Sequence, residues 1–199
     1  MAENIKIQKT EKAIQMVFIE IASKKGFNKM SVKDITEVAH ISRGTFYLHY
    51  LDKFDLLDHY ENDLLNDIVE LFGKYSKPSL KKALPNKDYT NNAFFQMFSY
   101  LYKHKQLTSV LLRNPDSIIK TRMKEIIDME IKSDLTNHTK ISIELTISND
   151  YAEEIILQNV LSIITFWLQK SHPEKPDIVY QIFLKSRQLS PINLLDSVY

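Results

Sequence analysis

Cysteine is absent from this chain, glycine occurs three times and proline six. Without cysteine there is neither a disulfide framework nor a thiolate metal site, a composition compatible with a reducing compartment. So few glycines and prolines leave little of the turn chemistry that an all-β protein needs between short strands. No apolar run reaches the length of a membrane span, and the amino-terminal MAENIKIQKTEK has no apolar signal core. A cytoplasmic location without membrane contact is therefore expected. The six histidines, at 40, 49, 59, 104, 138 and 172, form no i,i+4 metal pair, and no Gly-rich phosphate loop or nucleophile motif occurs. No enzyme activity, metal or cofactor is expected. Net charge is only +1, which excludes a histone-like binder. What remains is 199 residues, 44% of them apolar, enough for a substantial core in one large or two small domains.

The most informative stretch is GFNKMSVKDITEVAHISRGTFYLHYLDK, residues 26 to 53. Ser31 precedes Val32 and carries Asp34 three positions later, a spacing that lets hydroxyl and carboxylate satisfy free N–H groups at a helix start. Ser42, ahead of Arg43-Gly44-Thr45, can cap a second helix in the same way. His40-Ile41 must turn the chain between them, with Val32, Ile35, Ala39, Ile41 and Phe46 as the small core. This is the pattern of a helix-turn-helix whose second helix enters a DNA groove. Between residues 24 and 53, six basic residues (Lys24, Lys25, Lys29, Lys33, Arg43, Lys53) face three acidic ones (Asp34, Glu37, Asp52), a modest local footprint for a polyanion.

The run Gly26-Phe27, Ser31-Val32, Asp34-Ile35, Ile41-Ser42, Gly44-Thr45-Phe46-Tyr47, Tyr50, Lys53 and Leu56-Leu57 resembles the amino-terminal domain of TetR-family transcriptional regulators. The resemblance covers roughly residues 8 to 60 without gaps. It implies an all-α chain, with a three-helix DNA-binding domain over residues 1–53 and a larger helical effector-binding and dimerisation domain over 54–199. His40 departs from the pattern, since relatives often carry glycine at that turn; histidine tolerates positive φ better than most residues.

The chemistry of the residues points the same way. Glycine inside a helix costs about 1 kcal/mol relative to alanine, so Gly44 in the first turn of the second helix suggests a close approach of backbone to bases or phosphate. Thr45 and Tyr47 bring hydroxyls for phosphate oxygens, and Arg43 can reach guanine bidentately in the major groove. Ser42 and Lys33 complete the candidate contacts. The family pattern implies further phosphate contacts from His49 and Lys53. Asp52 can cap the following helix. Phe46 and Tyr50 read as core, whereas Tyr47 projects from the opposite face.

Elsewhere, Thr10 is read as the cap of a first helix carrying Ile14, Val17, Phe18 and Ile21 on one stripe. A long helix starts near Phe54 and runs to Gly73. Lys77-Pro78 and Pro85-Asn86-Lys87 mark a loop-rich stretch. A fifth helix carries Phe94, Phe98, Leu101 and Tyr102, and a short one follows from Leu107 to Arg113. Asn114-Pro115 reads as cap and first-turn proline of the next helix, with Ile119, Met123, Ile126 and Ile127 inward. ISIELTI, residues 141–147, alternates with period two but has no comparable partner run, so an extended connection or a helix start overridden by context is expected.

Between Asp150 and Lys170 the polar residues Gln158, Ser162, Thr165 and Gln169 form one narrow stripe on an otherwise apolar helix. Such a helix needs covering on two sides, and a second subunit is the expected second cover. Ile156, Val160, Ile164 and Trp167, with Val179 and Phe183 from a last helix, are the expected homodimer contacts. As a dimer, the protein would present two recognition helices to an inverted repeat of double-stranded DNA. The resemblance implies a repressor released by a small molecule of unknown identity, whose expected pocket is lined by Phe94, Phe98, Tyr102, Met123 and Asn159. The alternative is a regulator acting through a protein partner, as coactivator or co-repressor, without ligand control.

Overall fold

The computed structural model describes residues 2–76, 89–137 and 148–186. Helix α1 spans Ala2–Lys25, α2 Val32–Val38, α3 Arg43–Tyr47, α4 Lys53–Lys74 and α5 Ala93–Lys103. They are followed by α6 Lys105–Arg113, α7 Ile119–Asn137, α8 Asn149–Gln169 and α9 Pro176–Ser186. Among the described residues, extended pairing is limited to an isolated bridge between Ser76 and Asn92. The all-α expectation holds. The Lys77-Pro78 and Pro85-Asn86-Lys87 breaks, and the alternating run 141–147, lie outside the described residues.

Local chemistry sets the element ends. Thr10 lies inside α1, so the helix begins eight residues before the expected cap. AENIKIQK contains neither glycine nor proline, and nothing in it stops the helix from extending backwards. Gly26 ends α1 at φ +81, donating its N–H to Ala22 O at 3.1 Å, a conformation that requires glycine. Asn114-Pro115 also differs from expectation. Asn114 Oδ1 accepts the Asp116 N–H at 3.2 Å and Asn114 O the Ser117 N–H at 3.2 Å, closing a turn ahead of α7. The N-capping oxygen at α7 comes instead from Ser117, which accepts the Ile119 N–H. Asn92 caps α5, its side-chain oxygen taking the N–H groups of Phe94 and Phe95.

The chain divides into two compact units, residues 1–64 with 106–119, and 65–105 with 120–199. In the first, Ile14, Phe18, Ile35, Phe46, Leu56 and Leu57 are buried together with Tyr50 and Tyr60. Phe18 meets Tyr60 edge-on at 5.0 Å. The opening turns of α4 thus supply core to this unit, which extends past the expected boundary at residue 53; Leu64 and Leu65 mark the division within α4. Most of α6 also belongs here, with Leu107, Val110, Leu111 and Leu112 buried.

The second unit is centred on an aromatic cluster of α5, α8 and α9. Phe94 stacks on Phe183 at 5.4 Å, Phe98 meets Trp167 edge-on at 5.7 Å, and Tyr102 lies parallel to Trp167 at 5.9 Å. The Trp167 indole N–H donates to Glu174 O at 2.9 Å, which ties the end of α8 to the loop before α9.

Candidate nucleic-acid interface

The helix-turn-helix is built by two caps and one left-handed residue. At α2, Ser31 Oγ accepts the Asp34 N–H at 3.2 Å, and the Asp34 carboxylate accepts the Ser31 N–H at 2.8 Å and its hydroxyl at 2.6 Å. Lys25 lies 2.9 Å from the same carboxylate. The Ser31 hydroxyl, then Lys25, then the Ser31 N–H hold the Asp34 pKa down to about 2. At the far end of α2, His40 takes φ +53. Its N–H donates to Glu37 O at 3.3 Å, and the Ile41 N–H to Thr36 O at 3.0 Å. These paired bonds form a Schellman closure, so histidine adopts here the backbone that glycine would take more cheaply.

Ser42 caps α3: its Oγ accepts the Thr45 N–H at 2.9 Å and lies 2.9 Å from Thr45 Oγ1. Phe46 and Tyr50 point into the core. Burial, then the charge of Glu11, pushes the Tyr50 hydroxyl up to about 12, which keeps it protonated. The opposite side of α3 is open: Ser42, Arg43 and Gly44 are exposed, and Tyr47 is 54% exposed. Among the described residues no acidic side chain pairs with Arg43. A Cβ on Gly44 would meet only Ser42 Oγ, at an ordinary 3.6 Å, and its φ is not in the left-handed region. The fold itself therefore does not require glycine at this position.

The remaining candidates are partly engaged within the chain. Lys33 is exposed, 3.7 Å from Glu37. His49 is half-buried, its Nδ1 3.5 Å from Glu11. The Lys53 ammonium donates to Phe27 O at 3.2 Å and Asn28 O at 3.1 Å, and lies over the Phe27 ring at 4.7 Å. Lys53 thus ties the start of α4 to the α1–α2 turn. Asp52 caps α4, its Oδ1 accepting the Phe54 and Asp55 N–H groups. One exposed residue of this surface was not singled out in the sequence: Leu48, which is 85% exposed. The signal for Leu48 was its place four positions after Gly44.

In the second unit the expected pocket residues Phe94, Phe98 and Met123 are buried, Tyr102 and Asn159 are half-buried, and Asn159 accepts a hydrogen bond from the Ser186 hydroxyl at 3.0 Å. The expected dimer contacts need correction. Val160, Ile164, Trp167, Val179 and Phe183 are core of the single chain, and Ile156 is half-buried. The exposed stripe of α8 runs through Tyr151, Ile155, Gln158, Ser162, Phe166 and Gln169, and α9 exposes Ile178 and Ile182. These side chains fill the core of their own chain, where Trp167 meets Phe98 and Tyr102 of α5. Gln158, Ser162, Phe166 and Gln169 also border a groove of about 520 Å³, with Lys120 and Lys124 from α7 on its other side.

A capped helix pair, presenting a short helix with an uncommitted arginine, a bare glycine and an exposed tyrosine, defines a helix-turn-helix DNA-binding protein. Residues 19–60 match the model of the bacterial regulatory proteins, tetR family. The match takes in the end of α1, the helix-turn-helix and the opening turns of α4. An uncharacterized HTH-type transcriptional regulator, YxbF of Bacillus subtilis (strain 168), is 21% identical over 180 residues, covering 87% of this chain and 43% of that protein. The chain thus spans less than half the length of that relative. A TetR transcriptional regulator from Streptococcus agalactiae 2603V superposes with a TM-score of 0.61 at 21% identity, covering 94% of this chain and 98% of its own. A transcriptional regulator from Aquifex aeolicus VF5 gives a TM-score of 0.66 at 18% identity, with 90% and 98% covered. These likenesses establish a shared fold. No helix among the described residues is long and apolar enough to cross a membrane.

Proposed function

We propose that the protein is a homodimeric repressor that binds an inverted-repeat operator in double-stranded DNA and is released by a small-molecule ligand. The observation that carries the DNA-reading part is the open side of α3: Arg43, Gly44 and Tyr47 face outward while Phe46 and Tyr50 anchor the helix from behind. Arg43 is the base reader; Tyr47 and Ser42 hold phosphate, with Thr45, Lys33, His49 and Lys53 supporting.

The dimer face is the exposed stripe of α8 with that of α9, centred on Ile155, Phe166, Ile178 and Ile182. Phe166 is 69% and Ile155 59% exposed in the single chain, and a second copy covering them would remove a sizeable apolar surface from water. Such a dimer holds two recognition helices about 34–36 Å apart, one turn of duplex. Effector binding among α5, α7 and α8 would act by preferring a different spacing of these helices. Within the amino-terminal unit, Val110, Arg113, Asn114 and Pro115 border a cavity of about 180 Å³ with Ala22, Gly26, Phe27 and Asn28 from the end of α1 and the turn after it.

The test is selection of bound duplexes from a random DNA pool at near-physiological salt. An enriched inverted repeat is expected. Failure of folded protein to enrich any sequence would overturn DNA reading and give a protein partner priority. A monomer by sedimentation would overturn the dimer.

A further inference from the structure

We infer that Leu48 is a base-reading residue that packs against the C5-methyl group of a thymine beside the position occupied by Gly44. The inference rests on the DNA-reading role proposed above. Exposed leucines are ordinary when scattered, so the argument lies in where this one stands. Leu48 is 85% exposed, the highest value among the large apolar side chains described. It caps the carboxyl end of α3 with helical backbone angles (φ −73, ψ −22), and its N–H donates to Gly44 O at 3.1 Å. It is therefore one helical turn beyond Gly44 on the same side of α3, flanked by Tyr47 and away from the buried Phe46 and Tyr50.

Gly44 presents no side chain, so a base edge there can come as near as the helix backbone allows. The next group along that face is the Leu48 isobutyl group, which can neither donate nor accept a hydrogen bond. Of the features that DNA displays in the major groove, the thymine methyl is the apolar one. A leucine gains nothing from guanine O6 and N7 or from the exocyclic amines, and it would desolvate a phosphate without replacing its hydrogen bonds. Methyl against isobutyl is the pairing that this surface rewards.

Leu51, 80% exposed, does not share the position. It lies beyond α3, with its N–H held by Asp55 Oδ2 at 2.8 Å at the entry to α4. It serves as the control.

The experiment replaces each thymine of the selected operator in turn by deoxyuridine, which removes only the methyl, and measures affinity for the full-length protein, Leu48→Ala and Leu51→Ala. For the unaltered protein and Leu51→Ala, one thymine per half-site should lose roughly fourfold in affinity on demethylation, the worth of one buried methyl. Leu48→Ala should bind the two duplexes alike at that position, giving a coupling in the double-mutant cycle. If selection returns no motif, the DNA-reading role itself falls. If it returns one and Leu48→Ala keeps the full methyl effect at every thymine, or loses affinity equally for all duplexes, the DNA-reading role stands and the assignment of Leu48 is overturned.

Discussion

The two compact units of this chain are specified by different kinds of information. The amino-terminal unit is laid out by short-range polar signals: Ser31 with Asp34, Ser42 with the Thr45 N–H, Asp52 with the Phe54 and Asp55 N–H groups. Each is a contact between neighbours in sequence, so its spacing predicts its geometry. The second unit relies on apolar faces, and α8 carries them on more than one side. Periodicity locates such a helix but cannot say which face the chain keeps for itself.

Trp167 and Phe166 give the widest test of that contrast, since they are adjacent and face opposite ways. Trp167→Ala should cost about 3–5 kcal/mol of stability in denaturant unfolding, as for other buried aromatic truncations. Phe166→Asp should leave the monomer's thermal stability within about 0.5 kcal/mol, as an exposed substitution does, while lowering the sedimenting mass from dimer to monomer. A folded, stable Trp167→Ala beside an unfolded Phe166→Asp would reverse the assignment of faces.

Within the amino-terminal unit, Arg43→Ala should relax base preference at one operator position by about 1–3 kcal/mol and leave the fold unchanged. Unaltered preference in a repeat selection would remove Arg43 as a reader.

Ser31→Ala should cost about 1 kcal/mol through the lost cap. The sign of its pH dependence follows from Asp34, whose pKa is depressed from 3.8 to about 2. The carboxylate's contribution is present in full above 3.8 and is lost as pH falls toward 2. The stability gap between the unaltered protein and Ser31→Ala should therefore narrow over that interval in urea titrations; a constant gap would mean that the carboxylate is not part of the cap.

The smallest effects separate fold from recognition. Gly44→Ala should raise stability by about 0.5–1 kcal/mol, because alanine is the better helix former and meets nothing closer than Ser42 Oγ. DNA affinity should fall, since the new methyl stands where a base edge approaches. His40→Gly should also stabilise, by up to about 1 kcal/mol, through relief of its left-handed backbone. A destabilised Gly44→Ala would mean that the glycine serves the fold after all.

How much was legible follows from the range of each interaction. The all-helical class, the caps at Ser31, Ser42 and Asp52, the inward Phe46 and Tyr50 and the outward Tyr47 were all readable, because each depends on partners within about one helical turn. Lys53 was not: its carbonyl partners Phe27 and Asn28 lie 26 and 25 positions away. Nor was the start of α1, since Thr10 looked like a cap in a stretch with nothing to terminate a helix. Val160, Ile164 and Trp167 were placed on the wrong side for the same reason of range. Trp167, for one, is covered by Phe98 and Tyr102 of α5, far away in the chain.

By itself, then, the sequence determined where α2, α3 and α4 start, and which residues stand on the outward side of α3, through hydrogen bonds closed between near neighbours. Tertiary structure alone decided which apolar face of α8 is core, that α6 joins the amino-terminal unit, and that Lys53 is held by the α1–α2 turn. Those outcomes depend on filling volume and satisfying carbonyls between segments far apart in the chain, which no local pattern encodes.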